Sequence, residues 1–181
     1  MTQNLPVDTR LVACTLEVHG TAILDIFNDA ILTSTALYEY VPRTMATMET
    51  WFDTKTAAGF PVIGLGSANG TLLGFASYGA FRVQPAYKYT VEHSVYVHPE
   101  HRGKGLGKVL LREIIAAAEA NDRHAVIGAI DANNQASIAL HQQFGFQHVG
   151  TLPQVGFKFG GWLDLVLYQL TLPRPQNPTD G

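Results

Sequence analysis

The sequence predicts an α/β (α+β) fold, a mixed and mostly antiparallel twisted sheet of about seven strands flanked by about four helices. Three patterns carry that expectation. Two segments with apolar residues three and four apart precede a strand pair joined through Asn69-Gly70. A strand–helix–strand–helix run follows, and two more strand-like segments come after it. The middle run implies a parallel crossover inside an otherwise antiparallel sheet, because a helix-length connection is what joins parallel neighbours.

Taken in order, residues 1–9 are polar and read as a flexible arm. Leu11 to Leu16 is a short strand. Ile23, Ile26, Phe27, Ala30 and Ile31 share one helical face. Met45, Met48, Trp51 and Phe52 turn inward on a second helix, which stops near Gly59 with Pro61 just beyond. Val62 to Ser67 and Leu72 to Phe81 form a hairpin about Ser67-Ala68-Asn69-Gly70, whose Asn-Gly pair tolerates positive φ. Thr90 to Val97 is the third clear strand, ended by His98-Pro99-Glu100. A helix from about Gly105 to Asn121 buries Leu106, Leu110, Ile114, Ala117 and Ala118. Ala125 to Ile130 is short and nearly all apolar, the composition of a strand inside a sheet. Asn134 to Phe144 is a helix with an apolar stripe at Ala136, Leu140 and Phe144. Gln147 to Leu152 and Leu163 to Leu172 close the sheet, and residues 173–181 form a flexible or draped tail. The segment 10–172 reads as one domain.

The 181 residues are 46% hydrophobic and 15% charged, enough for one full core. A net charge of -3 gives no basic footprint for nucleic acid. The single cysteine, Cys14, excludes an intramolecular disulfide and suits a reducing cytosol. No basic leader followed by an apolar run opens the chain, and no stretch approaches the roughly 18 apolar residues of a membrane helix. The expectation is a cytoplasmic protein without a membrane partner.

The segment Val95-Tyr96-Val97-His98-Pro99-Glu100-His101-Arg102-Gly103-Lys104-Gly105-Leu106-Gly107-Lys108 runs from a strand end through a glycine-rich turn into a helix. Closely spaced glycines let backbone N–H groups converge on one point, and a helix N-terminus adds partial positive charge. That combination suits a di- or polyphosphate. A Walker A loop is excluded, since Lys108 is followed by Val109. The G-x-G-x-G spacing of Gly103, Gly105 and Gly107 also misses the dinucleotide fingerprint. Lys104, Lys108 and Arg112 form a basic helical stripe, open to a second phosphate or to solvent. On the later helix, Asn134, Ser137 and His141 put three polar groups on one face.

Two motifs carry a family resemblance. Arg102-Gly103-Lys104-Gly105-Leu106-Gly107 resembles the R/Q-x-x-G-x-G/A signature of GNAT acetyltransferases. Asn134-Gln135-Ala136-Ser137-Ile138-Ala139-Leu140-His141-Gln142-Gln143-Phe144-Gly145-Phe146 resembles their N-x-x-A/S-x-x-L-Y-x-x-x-G-F pattern. Histidine at 141 replaces the usual tyrosine, which is typical of the phosphinothricin and methionine sulfoximine branch. Thr90–Val97, Ala76–Arg82 and the segment Gly156-Phe157-Lys158-Phe159-Gly160-Gly161-Trp162-Leu163-Asp164 are similar to that branch too.

The resemblance implies a GNAT fold, acetyl-CoA as cosubstrate, no metal, a small-molecule amine as acceptor and a homodimer. Val95, Tyr96, Val97, Arg102, Gly103, Lys104, Gly105, Leu106, Gly107, Lys108, Asn134 and Ser137 are the implied coenzyme contacts. The strand at Val95 to Val97 is expected to bulge and splay from its parallel neighbour, with the Val95 N–H polarising the thioester carbonyl. Glu92, a carboxylate inside an apolar strand, is the candidate base, with a salt-bridged or edge glutamate as the alternative. His141 is the second catalytic candidate, able to act as acid or base near neutrality. Arg82, Val83, Gln84, Glu92, His93, Ser94 and Lys158 are the implied acceptor contacts. Arg82 and Lys158 suit a carboxylate, unless they are ordinary surface charges. A GNAT enzyme for another amine, or an acetyl-CoA sensor without turnover, remains compatible with the sequence.

Overall fold

A computed structural model describes residues 8–180 of the chain. The strands are β1 (Thr9–Ala13), β2 (Val62–Ser67), β3 (Leu72–Ala80), β4 (Thr90–Val97), β5 (Ala125–Asp131), β6 (Gln147–Lys158) and β7 (Gly161–Thr171). The helices are α1 (Leu16–Thr33), α2 (Met45–Ala57), α3 (Leu106–Ala120) and α4 (Gln135–Gln143). One sheet runs in the order β1-β2-β3-β4-β5-β7-β6. Its β4–β5 pair is parallel and its other pairs are antiparallel. Most of the arm expected at residues 1–9 lies outside the described residues.

Side-chain alternation along the strands splits the core in two. One cluster places α3 against the sheet through Leu106, Leu110, Leu111 and Ile114, with Val91 and Val126 beneath. The other packs α1 and α2 through Ile23, Phe27, Met48 and Phe52 onto Phe75, with Tyr96 at its edge. Phe27 meets Trp51, Phe75 and Tyr96 edge-on at centroid distances of 5.1 to 5.5 Å.

Four expectations need correction. Leu16 begins α1 rather than ending β1, because the Thr15 side chain accepts from Val18 N and caps the helix. Met45, at the first turn of α2, stays 38% exposed. The last two strands are longer than their patterns, since β6 is an edge strand whose mostly exposed residues carry no clean alternation. They meet at Phe159-Gly160, both at positive φ, a two-residue hairpin turn. On α4 the apolar stripe holds only in part: Leu140 and Phe144 pack against the core under α3, but Ala136 is exposed and the fully buried residue is His141.

Beyond Leu172, the tail crosses back over the β3–β4 connection. Thr179 N donates to the Tyr89 hydroxyl, and Lys88 Nζ donates to Thr179 Oγ1.

Candidate active site

The parallel pairing of β4 with β5 covers only Thr90↔Ala125, Val91↔Val126 and Glu92↔Ile127. Beyond it the strands part, and a cleft of about 310 Å³ opens between them. The expected splay is present; the expected bulge is not. β4 holds one register against β3 from Gly74↔Val97 to Ala80↔Val91.

That register decides which backbone groups face the cleft. His98 N donates to Leu73 O and Phe81 N to Thr90 O, so even-numbered residues of β4 bond to β3. Hydrogen bonding alternates along an antiparallel pair, so Val95 and Val97 turn their N–H and C=O groups toward β5. With β5 gone, the Val95 N–H opens into the cleft as a donor. The Val97 carbonyl accepts from Arg102 Nε at 3.2 Å.

The glycine-rich turn leads into the start of α3. Its N-cap, Gly105, has φ of 77° and offers no side chain, so the Leu106 and Gly107 N–H groups are uncapped, while Lys108 N donates to the Gly105 carbonyl at 3.1 Å. Gly103 shares that φ, and a Cβ at either glycine would meet no atom within 4 Å. Arg102 lines the cleft and also pairs with Asp29 Oδ2 at 2.7 Å, bracing the loop against α1. Leu106 is only 3% exposed, which leaves its backbone alone available. Lys104 Nζ donates to the Glu100 carbonyl, Lys108 is exposed, and Arg112 pairs with Glu113, so the basic stripe is partly internal. Gly107 lines the cleft.

Across the cleft, Asn134 caps α4 by accepting from Ser137 N at 3.1 Å, and its amide nitrogen has no partner among the described residues. Ser137 and His141 line the same wall. His141 Nδ1 lies 2.7 Å from the Ser137 carbonyl, and its Nε2 lies 3.0 Å from His93 Nε2. Burial lowers the pKa of both rings, that of His93 to about 3. Gly128 makes room for them: a Cβ there would come within 2.9 Å of His141 Nε2. Sequence reasoning missed Gly128, whose meaning depends on a helix thirteen residues on.

Glu92, Ser94 and Tyr96 face the α1–α2 side. Glu92 is half-buried with no hydrogen-bond partner for its carboxylate among the described residues. Burial raises its pKa, and the nearby Arg82 guanidinium opposes that rise. The Tyr96 hydroxyl lies by Ser94, and burial raises its pKa to about 12. Tyr96 therefore presents its side chain to the α1–α2 side and its backbone to the cleft. Arg43, gripped by Glu39 and stacked 3.9 Å over Phe27, keeps a buried Nη1 without a partner. No motif pointed to it.

The acceptor residues expected from sequence are dispersed. His93 alternates to the face opposite Glu92. Arg82, Val83 and Gln84 line a separate hollow with Pro85 and Tyr87, although the field of Arg82 reaches Glu92. Lys158 is 4% exposed and donates to the Ser34 and Leu37 carbonyls, tying down the α1–α2 connection rather than facing solvent. On the far rim Asp131 Oδ2 and the Tyr38 hydroxyl are buried without partners. Cys14 is held protonated, its pKa raised to about 12 by burial. One trio with metal-ligand chemistry, His98, Glu100 and His101, stands beside the Lys104 ammonium, 3.4 Å from His101 Nδ1.

The depressed His93 pKa ties stability to pH. The folded ring stays neutral down to about 3, whereas an unfolded histidine binds a proton below 6.5. Stability is full above 6.5 and falls as pH drops from there toward 3, by up to about 1.4 kcal/mol per pH unit for His93. Urea unfolding at pH 7.5 and 5.5 (order of one proton taken up on unfolding, more with His141) measures it, and His93→Phe should reduce the slope.

The Acetyltransferase (GNAT) family profile matches residues 23–146. An L-methionine sulfoximine/L-methionine sulfone acetyltransferase of Pseudomonas aeruginosa is 47% identical over 150 residues, 83% of this chain and 87% of that one. A structure from Acinetobacter baylyi ADP1 superposes with a TM-score of 0.95 at 53% identity, covering 100% of this chain and 99% of the other. A GNAT superfamily phosphinothricin acetyltransferase of Sinorhizobium meliloti, in complex with AcCoA, gives 0.90 at 34% identity over 97% and 95% of the two chains. With a splayed parallel pair, an uncapped glycine-rich helix start and these relatives, the chain belongs to the GNAT acetyltransferase family.

Proposed function

We propose that the protein transfers the acetyl group of acetyl-CoA to the α-amine of a small amino-acid analogue of the methionine sulfoximine, methionine sulfone or phosphinothricin type. Transfer is by direct attack in a ternary complex. The observation that carries this reading is the splay itself. It exposes the Val95 N–H to one point, with an anion-binding helix start on one side and the half-buried Glu92 on the other.

The uncapped N–H groups at Gly103 to Gly107 take the diphosphate. Val95, Val97 and Asn134 bond the pantetheine arm, which replaces the missing β5 edge. The Val95 N–H stabilises the oxyanion that forms on the thioester carbonyl. Glu92 removes a proton from the acceptor ammonium, directly or through water, and His141 serves the leaving thiolate. Arg82 takes the acceptor carboxylate, its field already reaching Glu92. Cys14 plays no part, and no acyl-enzyme forms.

The relatives' acceptors motivate the test. Thiol release from acetyl-CoA is measured with phosphinothricin, methionine sulfoximine, methionine sulfone, ordinary amino acids, spermidine and a peptide. Turnover concentrated on the first three is expected. Turnover on spermidine or the peptide alone would overturn the acceptor assignment, and binding of acetyl-CoA without turnover would favour a sensor.

We also read residues 10–172 as one catalytic domain that works in the cytosol as a homodimer. No helix of the described residues is long and apolar enough to cross a membrane. The edge strand β6 and its hairpin expose Val149, Leu152, Val155, Phe157 and Trp162, each between 44% and 64%. Edge strands left without charge invite pairing, and a second copy of the same face is self-complementary in a two-fold dimer. Light scattering should give twice the chain mass for the wild type and a single chain mass for Val155→Lys/Trp162→Asp. A monomeric wild type would end this proposal.

A further inference from the structure

The connection between α1 and α2 supplies part of the cleft wall through Ala36. Lys158, the last residue of β6, reaches the backbone on both sides of that residue. Its Nζ donates to the Ser34 carbonyl at 2.8 Å and to the Leu37 carbonyl at 2.6 Å. The two bonds bracket Ala36, so one ammonium fixes the chain as it enters and leaves the wall.

That ammonium sits in a costly place. Lys158 is 4% exposed, and no carboxylate forms an ion pair with it among the described residues. A buried charge needs close and well-directed partners, and an apolar side chain of similar length would fill the space at lower cost. The polar partners of Lys158 all belong to the connection. Burial lowers its pKa, and the charge opposing that shift is Glu39, two residues beyond Leu37. Its neighbours on β6 are held to the same segment. The Tyr40 hydroxyl donates to the Phe157 carbonyl, and the Tyr38 ring lies so close that a Cβ at Gly156 would come within 2.6 Å of it. Three consecutive residues of β6 thus each hold the connection, and Lys158 is the one whose bonds flank the cleft wall.

We propose that Lys158 is a positioning residue for acetyl-CoA, which it does not touch, and that it sets the width of the cleft by holding Ala36 in place. The inference rests on the acetyl-transfer reading above, which assigns the cleft to the pantetheine arm. With Lys158 in place the wall is preformed. Without it, ordering the segment from Ser34 to Tyr40 is charged against binding. The loss falls on affinity rather than on the chemical step, because Glu92, Val95 and His141 stand on other elements.

Lys158→Met keeps a side chain of similar length and removes the donors. Calorimetry should show acetyl-CoA binding weakened about tenfold or more, with a matching rise in KM and kcat within about threefold of wild type. Amide exchange should quicken across residues 34–44 and stay unchanged in α3 and β5. Lys158→Arg, which returns donors to the same place, should recover most of the affinity. Wild-type affinity in a Lys158→Met protein whose connection exchanges faster overturns the proposal, because the wall then needs no pin. Faster exchange throughout the molecule overturns it as well, since Lys158 would then serve stability alone. Should Lys158→Met fail to fold, Tyr40→Phe removes the exposed neighbouring bond instead. A loss of affinity of about threefold at unchanged kcat is expected there, and wild-type affinity counts against the proposal. A wild type that binds acetyl-CoA but acetylates no amine would strike the reading of function, while the calorimetry would still decide the role of Lys158.

Discussion

Glu92→Gln is expected to lower kcat by about 100-fold or more and to change the shape of the pH profile. The α-ammonium of a free amino acid is mostly protonated at neutral pH, so attack needs either a base or rising alkalinity. On the proposed mechanism Glu92 serves as that base only when ionised. Its raised pKa places the acid limb of kcat/KM above the usual glutamate range, with activity lost as pH falls through it. Glutamine keeps the shape and cannot accept the proton. The variant's kcat/KM should therefore rise with unit slope toward alkaline pH and show no acid limb of its own. Acetyl-CoA binding, measured by calorimetry, should stay near the wild-type value, because Glu92 faces the acceptor side. A wild-type profile in the variant would remove Glu92 from the mechanism.

Gly128→Val should cost a similar factor through geometry alone. The first added carbon would already lie 2.9 and 3.0 Å from His141 Nε2 and Cδ2 and 3.3 Å from His93 Nε2. Two further methyl groups cannot be accommodated unless the rings separate. Overfilling of this kind typically destabilises by about 1–3 kcal/mol, which leaves a folded protein to assay. Separation of the rings breaks the 3.0 Å contact between them, and the added bulk narrows the cleft. Loss of turnover should therefore come with weaker acetyl-CoA binding, unlike Glu92→Gln. Full activity in Gly128→Val would mean that the histidine contact has no part in the reaction.

The sheet was largely legible in the chain because its central strands are short apolar runs between strong turn signals. Thr90–Val97 and Val62–Ser67 match their strands residue for residue. The phosphate turn was legible for a similar reason, since Gly103 and Gly105 need a conformation that side chains disfavour. What escaped depends on partners distant in sequence. Lys158 reads as a free cation until its bonds to Ser34 and Leu37 are seen, more than a hundred residues earlier. His93 reads as an acceptor contact because it follows Glu92, yet strand alternation sends it to the other face. On the α4 stripe only Ala136 departs, because it lines the cleft while Leu140 and Phe144 pack against the core. Arg43 and Gly128 carry no local signal.

The single unbroken register of β4 divides the molecule's labour by parity. Even-numbered residues (Glu92, Ser94, Tyr96) face the α1–α2 side and odd-numbered ones (His93, Val95, Val97) the α3 side, which on the proposed reaction are the amine and thioester sides. Acceptor preference can thus drift by substitutions at alternate positions while the chemistry behind the strand stays untouched. Inserting or deleting one residue in this strand would exchange the two sets wholesale. The two faces of β4 can therefore be altered one letter at a time, while its length holds both in place.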